Sequence, residues 1–209
     1  MGLPLNSPII IGACDLNRNP EQVRELALAG AGAVVLPSLF EESVVHAMRL
    51  RNEPTQSAEE YLDDVGYDDS NPAIMTDPTE YCDTVAQVKR VTGIPVIASL
   101  NGCTRGNWMK IAQDLEEAGA DGLEVMLEAQ WLDPAATADE VEQALLDEIS
   151  DMCDQVSIPV AVKLLPYHTN MANFSWRAVE AGASAMIAFA AEPRWHMRFD
   201  HLHPTMTWE

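Results

Sequence analysis

At 209 residues and 22.9 kDa, with 47% hydrophobic and 22% charged residues, the chain has the composition of a globular domain able to bury one sizeable core, which excludes disorder as the default. Thirty-three acidic residues against twelve basic ones give a net charge of −21, which repels phosphate backbones and anionic lipid, so neither nucleic acid nor a membrane surface is an expected partner. No apolar stretch approaches the length of a membrane span, and Met-Gly-Leu-Pro-Leu-Asn-Ser lacks the basic start and long apolar segment of a secretory signal, so a cytoplasmic protein is expected.

Two kinds of unit alternate along the chain. In one, a proline leads into an apolar run: Ser7-Pro8-Ile9-Ile10-Ile11-Gly12, Ile94-Pro95-Val96-Ile97-Ala98-Ser99 and Ile158-Pro159-Val160-Ala161-Val162-Lys163. In the other, Ala-Gly-Ala precedes an apolar run: Gly30 before Ala33 to Leu36, Gly119 before Leu123 to Leu127, and Gly182 before Ala185 to Ala190. Each run predicts a buried strand, and each Ala-Gly-Ala predicts a helix stop. The proline-to-glycine intervals are 22, 24 and 23 residues, enough for one strand and one helix. Helical periodicity fills the gaps at Glu21 to Leu28, Thr79 to Val91, Trp108 to Ala118, Ala138 to Val156 and Asn173 to Ala181.

Six βα units with doubly buried strands predict a parallel sheet with right-handed crossovers. No G-x-G-x-x-G follows the first strand, so the expected architecture is an incomplete TIM (βα)8-type barrel rather than a dinucleotide-binding sheet. Such a barrel takes about 250 residues, so two strands are expected to be missing. Residues 1–192 would form the partial barrel and 193–209 a solvated tail leading to the missing seventh unit. Gly30 to Pro95 is 25 residues longer than Gly119 to Pro159, which puts an insertion within Glu41 to Pro78. Its acidic composition predicts a long loop on the barrel's C-terminal face, either a lid or a disordered insertion.

Chemistry in such folds sits at the carboxyl ends of strands. The candidates are Ala13, Cys14, Asp15 and Asn17 after the first strand, Pro37 and Ser38 after the second, and Ser99, Asn101 and Cys103 after the third. Glu128 and Asp133 follow the fourth, Lys163 stands within the fifth, and Glu192 and Arg194 follow the sixth. Lys163 is the sharpest, because the chain has three lysines against nine arginines and this one interrupts an apolar strand. An ammonium there must meet an anion, a substrate carbonyl or a cofactor. Alternation places it with Ala161 on the inner face, opposite Val160, Val162 and Leu164. Cys14, Cys82, Cys103 and Cys153 show no paired spacing, so reduced thiols are expected, with neither zinc nor disulfides. His196, Asp200, His201 and His203 have the chemistry of metal ligands but fall in the expected tail.

At these residues the sequence resembles the dihydroorotate dehydrogenase family, and in particular its dihydroorotate dehydrogenase-like branch. The resemblance runs from Leu3 to about Ala190. Its carriers are Leu5-Asn6-Ser7-Pro8-Ile9-Ile10, Ala29 to Glu42, Ile94 to Gly102 and Ile158 to Pro166. It implies a TIM barrel holding FMN, and oxidation of dihydroorotate to orotate by hydride transfer to the flavin with proton removal by a Cys or Ser base. Lys163 then matches the catalytic lysine that contacts the flavin pyrimidine edge, and Ala13, Cys14, Ser38, Ser99 and Asn101 match cofactor-facing positions. The sequence departs from the family at Pro37, where a lysine precedes the serine, at the fourth strand and Leu127 to Trp131, which carry no Cys or Ser base, and at Ala190, where an asparagine is implied. Two expectations follow: an FMN-dependent oxidoreductase acting on a small-molecule CH–CH donor, completed by a second chain if need be, or a non-catalytic remnant acting as a binding or oligomerising module.

Overall fold

The structure, a computed structural model, describes residues 1–51, 75–102, 107–127, 135–166, 168–189, 193–198 and 203–208. Strand β1 (Ile10–Ile11) leads through a 3₁₀ turn (Asp15–Arg18) into α1 (Pro20–Leu28), and β2 (Ala33–Val35) and β3 (Leu39–Phe40) into α2 (Glu41–Leu50). After α3 (Pro78–Val91) come β4 (Val96–Asn101), α4 (Asn107–Glu117), β5 (Gly122–Met126) and α5 (Ala138–Gln155). The chain continues through β6 (Val160–Leu164), α6 (Met171–Glu180) and β7 (Ala185–Ala188) to β8 (Pro193–Arg198) and β9 (His203–Trp208).

Local chemistry sets the helix ends. Asn19 and Asp77 each cap a helix that begins with proline, their side chains accepting from the N–H of Glu21 and Thr79. At α5, Thr137 and Glu140 satisfy each other's backbone N–H groups in a capping box. The glycines that stop α1, α4 and α6, Gly30, Gly119 and Gly182, have φ of 103°, 100° and 110°, a conformation that a side chain disfavours.

The parallel strands run in the order β1-β2-β4-β5-β6-β7, with β3 pairing β4 beyond the end of β2. One face of this sheet is the protein's main core: Val34, Leu36, Val96, Ala98, Leu100, Leu123 and Val125 pack against Val23, Tyr81, Val85, Val88, Trp108, Ile111 and Leu115. A second cluster joins Val162 and Leu164 to Leu145, Ile149, Phe174 and Ala178. Helices α1, α3, α4, α5 and α6 therefore lie on one side, as crossovers of a single hand require, and the sheet curls away from them. On its concave face Ala33, Val35 and Ile97 form a small cluster with Met1, Leu3 and Ala13.

This corrects the expected incomplete TIM (βα)8-type barrel. The six strands form an open parallel half-barrel: β1 and β7 each have one partner, and the following residues pair with each other instead. Strands β8 and β9 form an antiparallel hairpin in register from Pro193↔Trp208 to Arg198↔His203, where a solvated tail was expected. The alternation of Trp195 and Met197 with Arg194, His196 and Arg198 is the period-two signal of such a strand. The start of the expected loop at 41–78 is also ordered, as α2. Glu41 and Glu42 occupy its first turn, where they favour the helix dipole, and Val44 and Val45 are buried. Among the described residues no helix is long and apolar enough to cross a membrane.

Candidate functional site

The half-barrel brings four polar side chains into one line on the concave face, toward the carboxyl ends of β2, β4, β5 and β6. Ser38 Oγ and Ser99 Oγ are 2.7 Å apart, and Ser99 Oγ donates to Glu124 Oε1 at 3.3 Å. The same oxygen accepts a hydrogen bond from Lys163 Nζ. Strand register explains the assembly: Ser99 pairs with Glu124, Glu124 with Ala161 and Met126 with Lys163, so alternate residues of three neighbouring strands share a face. Ser99 and Glu124 are buried, Glu124 at 4% exposure. The Lys163 side chain keeps 19% exposure, its ammonium compensated by the carboxylate.

Tyr81 holds the centre of this line from the helix side. The β2–β4 ladder covers Val34↔Val96 and Val35↔Ile97, and pairing resumes in β3 at Leu39↔Leu100. In the gap the backbone of Ser99 turns to the Tyr81 hydroxyl, which accepts from Ser99 N–H at 2.9 Å and donates to Ser99 O at 3.4 Å. Burial pushes this hydroxyl well above its ordinary pKa, and Glu124 adds to the rise, although the backbone of Ser99 pulls the other way; it remains a donor.

The other expected positions are more scattered. Asn101 ends β4 two residues beyond Ser99, on the same face, and its amide reaches only Met126 Sδ at 3.8 Å. Ala13 packs on the concave apolar cluster, while Cys14 is exposed and caps the 3₁₀ turn. Asn17 is wholly buried, and its Nδ2 donates to Gly12 O at 2.8 Å and Val35 O at 2.7 Å, clamping the ends of β1 and β2. Asp15 pairs with Arg18 on the surface. Cys103, Glu128, Asp133, Ala190, Glu192, Asp200 and His201 lie outside the described residues. Glu124 escaped the sequence reading, although it interrupts Leu123 to Leu127 as Lys163 interrupts its own strand. The other lysines differ: Lys89 binds both Asp121 oxygens, at 2.8 and 2.7 Å, and Lys110 pairs with Asp114 on one helix.

Beside this line lies a cavity of about 460 Å³, bounded by Leu3, Val35, Ile97, Glu124, Ala161 and Ile187. Its lower end is closed by the amino terminus, whose ammonium donates to Ser184 O at 3.0 Å. An apolar hollow with a few convergent polar groups is the usual form of a small-molecule site.

The sequence matches no protein-family model. It is 29% identical over 191 residues to the catalytic subunit of dihydroorotate dehydrogenase B (NAD(+)) of Methanocella arvoryzae, a match covering 90% of this chain and 59% of that protein. The corresponding subunit of Thermoplasma volcanium is 27% identical over 195 residues, covering 89% of this chain and 59% of the relative. A putative dihydroorotate dehydrogenase A (fumarate) of Aeropyrum pernix is 32% identical over 111 residues, 49% of this chain and 33% of that one. The chain is thus a distant relative of proteins named dihydroorotate dehydrogenase, and spans 59% of the length of the first of them.

The solved structures it resembles bear other names. Phosphonopyruvate hydrolase superposes with a TM-score of 0.53 at 16% identity, over 88% of this chain and 59% of that one. A 2,3-dimethylmalate lyase of the PEP mutase/isocitrate lyase superfamily gives 0.51 at 13% identity, over 88% and 57%. At such identities the likeness concerns the fold alone. With the open sheet, that likeness of fold corrects the expected incomplete TIM (βα)8-type barrel.

Proposed function

We propose that the concave face is the site of a dihydroorotate dehydrogenase-like, FMN-dependent oxidation of dihydroorotate or a related CH–CH donor, a step of pyrimidine synthesis. The observation that carries this reading is the hydrogen-bonded line Ser38, Ser99, Glu124 and Lys163, in a chain whose distant relatives bear that name. The donor set fits the flavin ring: an ammonium and an amide, from Lys163 and Asn101, suit an edge of carbonyls and N–H groups. FMN, when bound, supplies the hydride acceptor. Glu124 is a positioning residue, tethering the ammonium through one N–H and leaving the other two for the ring. The paired hydroxyls give the proton removed from substrate carbon a route: it passes to Ser38 Oγ, Ser38 gives its own to Ser99, and Ser99 gives its own to Glu124.

Of the described side chains that line the cavity or join it by hydrogen bonds, Lys163 is the one basic group. The amino-terminal ammonium at the lower end is the other cation, and it is held by Ser184 O, so ring contacts dominate and riboflavin should bind about as tightly as FMN. The test is a fluorescence titration with both flavins, followed by anaerobic addition of dihydroorotate. Flavin binding and bleaching of the flavin band support the proposal; a protein that ignores millimolar flavin overturns it. The second reading, a module that pairs with another chain, is favoured by the two sheet edges and by Ile9 and Ile10, exposed at 61% and 44%. It predicts a stable, colourless oligomer by light scattering.

A further inference from the structure

A second cavity, of about 340 Å³, lies between α5, β6 and the turn that enters α6. Its wall is largely apolar, built from Val141, Leu145, Ile149, Val162, Leu164 and Phe174, and its polar lining is Glu142, Lys163, His168 and Thr169. The His168 ring stacks on Phe174 with centroids 3.9 Å apart and planes inclined by 14°. Its Nδ1 faces Glu142 Oε1 at 3.8 Å, while Glu142 Oε2 accepts from Arg177 at 3.1 Å. The Arg177 guanidinium is further occupied by Gln143 at 2.9 Å and Asp139 at 3.9 Å. With Nδ1 turned to the carboxylate, Nε2 has no hydrogen-bond partner among the described residues.

Burial lowers the His168 pKa below its ordinary value, against the opposing pull of Glu142, so the ring is neutral near pH 7 and Nε2 is an acceptor. The charges around it are already matched: Arg177 answers Glu142 and Asp139, and Glu124 answers Lys163. An anion entering the cavity would face the Glu142 carboxylate, and a cation would leave water for an apolar wall.

We propose that this cavity binds a small, uncharged and largely apolar ligand that carries a single hydroxyl or N–H donor, delivered to His168 Nε2. The apolar wall supplies affinity and the imidazole fixes orientation, the division of labour usual in pockets of this size. Flavin is not required, and the Lys163 ammonium, although its residue lines this cavity too, is held by Glu124 on the concave face, so the proposal stands apart from the chemistry there.

The probes are phenol, cyclohexanol and anisole, the last similar in size to phenol but without a donor, titrated into the full chain. Binding is followed by calorimetry and by the NMR shift of the His168 ring. Phenol and cyclohexanol should bind and move that signal, and anisole should bind about ten-fold more weakly, the worth of one hydrogen bond. Leu145→Trp, which fills the cavity, should abolish phenol binding, and His168→Phe should reduce phenol to the affinity of anisole. The proposal is overturned if phenol does not bind at millimolar concentration, if anisole binds equally well, or if His168→Phe binds phenol like the parent. His168→Phe decides the matter if Leu145→Trp fails to fold.

Discussion

On the convex face of the sheet Leu100, Leu123 and Val125 are sealed beneath helices; one residue along the same strands, on the concave face, stand Ser99 and Glu124. Both faces exclude water, but by different means. The convex side does so with interdigitating apolar groups that admit few polar atoms, the Tyr81 hydroxyl among them. The concave side does so with the curl of the sheet and the amino-terminal segment, leaving a hollow in which a carboxylate, an ammonium and two hydroxyls satisfy one another. The half-barrel thereby separates stability from chemistry by the parity of residue number along each strand.

The largest effect should come from splitting the ion pair. Glu124→Leu strands the Lys163 ammonium in a nearly dry site and should cost about 4 kcal/mol in urea unfolding. The double variant Glu124→Leu with Lys163→Met should recover most of that loss. A single variant as stable as the parent would show that the concave face holds its charges in water, and the contrast between the faces would fail. Next in size, Leu100→Ala on the convex face should cost about 3 kcal/mol, because a sealed core cannot collapse around the void. Ile97→Ala on the concave face should cost less, about 2 kcal/mol, since the neighbouring hollow already denies that side chain some of its contacts. Equal costs would erase the distinction. Tyr81→Phe bridges the two faces: it keeps the packing but leaves the Ser99 N–H and carbonyl without their partner, an expected loss of about 2 kcal/mol.

The same parity made part of this legible in sequence. The strands and helix stops could be read because Pro95 and Pro159 open their runs and Gly30, Gly119 and Gly182 close the preceding helices, all local signals. Lys163 could be read from alternation alone. Glu124 obeys the same rule but stands out less, because one acidic residue among thirty-three carries little signal where one lysine among three carries much. Helix α2 was hidden because Glu41 and Glu42, which suit a helix start, resemble loop composition when they precede an acidic stretch. Closure of the sheet is of another kind. Whether β7 meets further strands or remains an edge depends on pairing between segments far apart in sequence, and no residue within β7 encodes it. The hydroxyl of Tyr81 in the ladder gap is equally non-local: only the packing of α3 on β4 brings it to the backbone of Ser99.

The smallest effect tests the polar pole of the second cavity, where the convex side also admits an imidazole. His168 has a folded-state pKa below its ordinary value because burial disfavours the charged ring. As pH falls through the ordinary histidine range the unfolded chain takes up a proton that the folded one refuses, so stability present above that range is lost on acidification. The unfolding free energy should therefore decline between about pH 7 and pH 5, and His168→Phe should flatten that part of the profile. Glu142→Gln should steepen it, because the carboxylate, itself bound by Arg177 beside Asp139, is the group that opposes the effect of burial. A profile that His168→Phe leaves unchanged would mean that the imidazole is solvated in the folded state, and the contrast would then hold at this cavity as well.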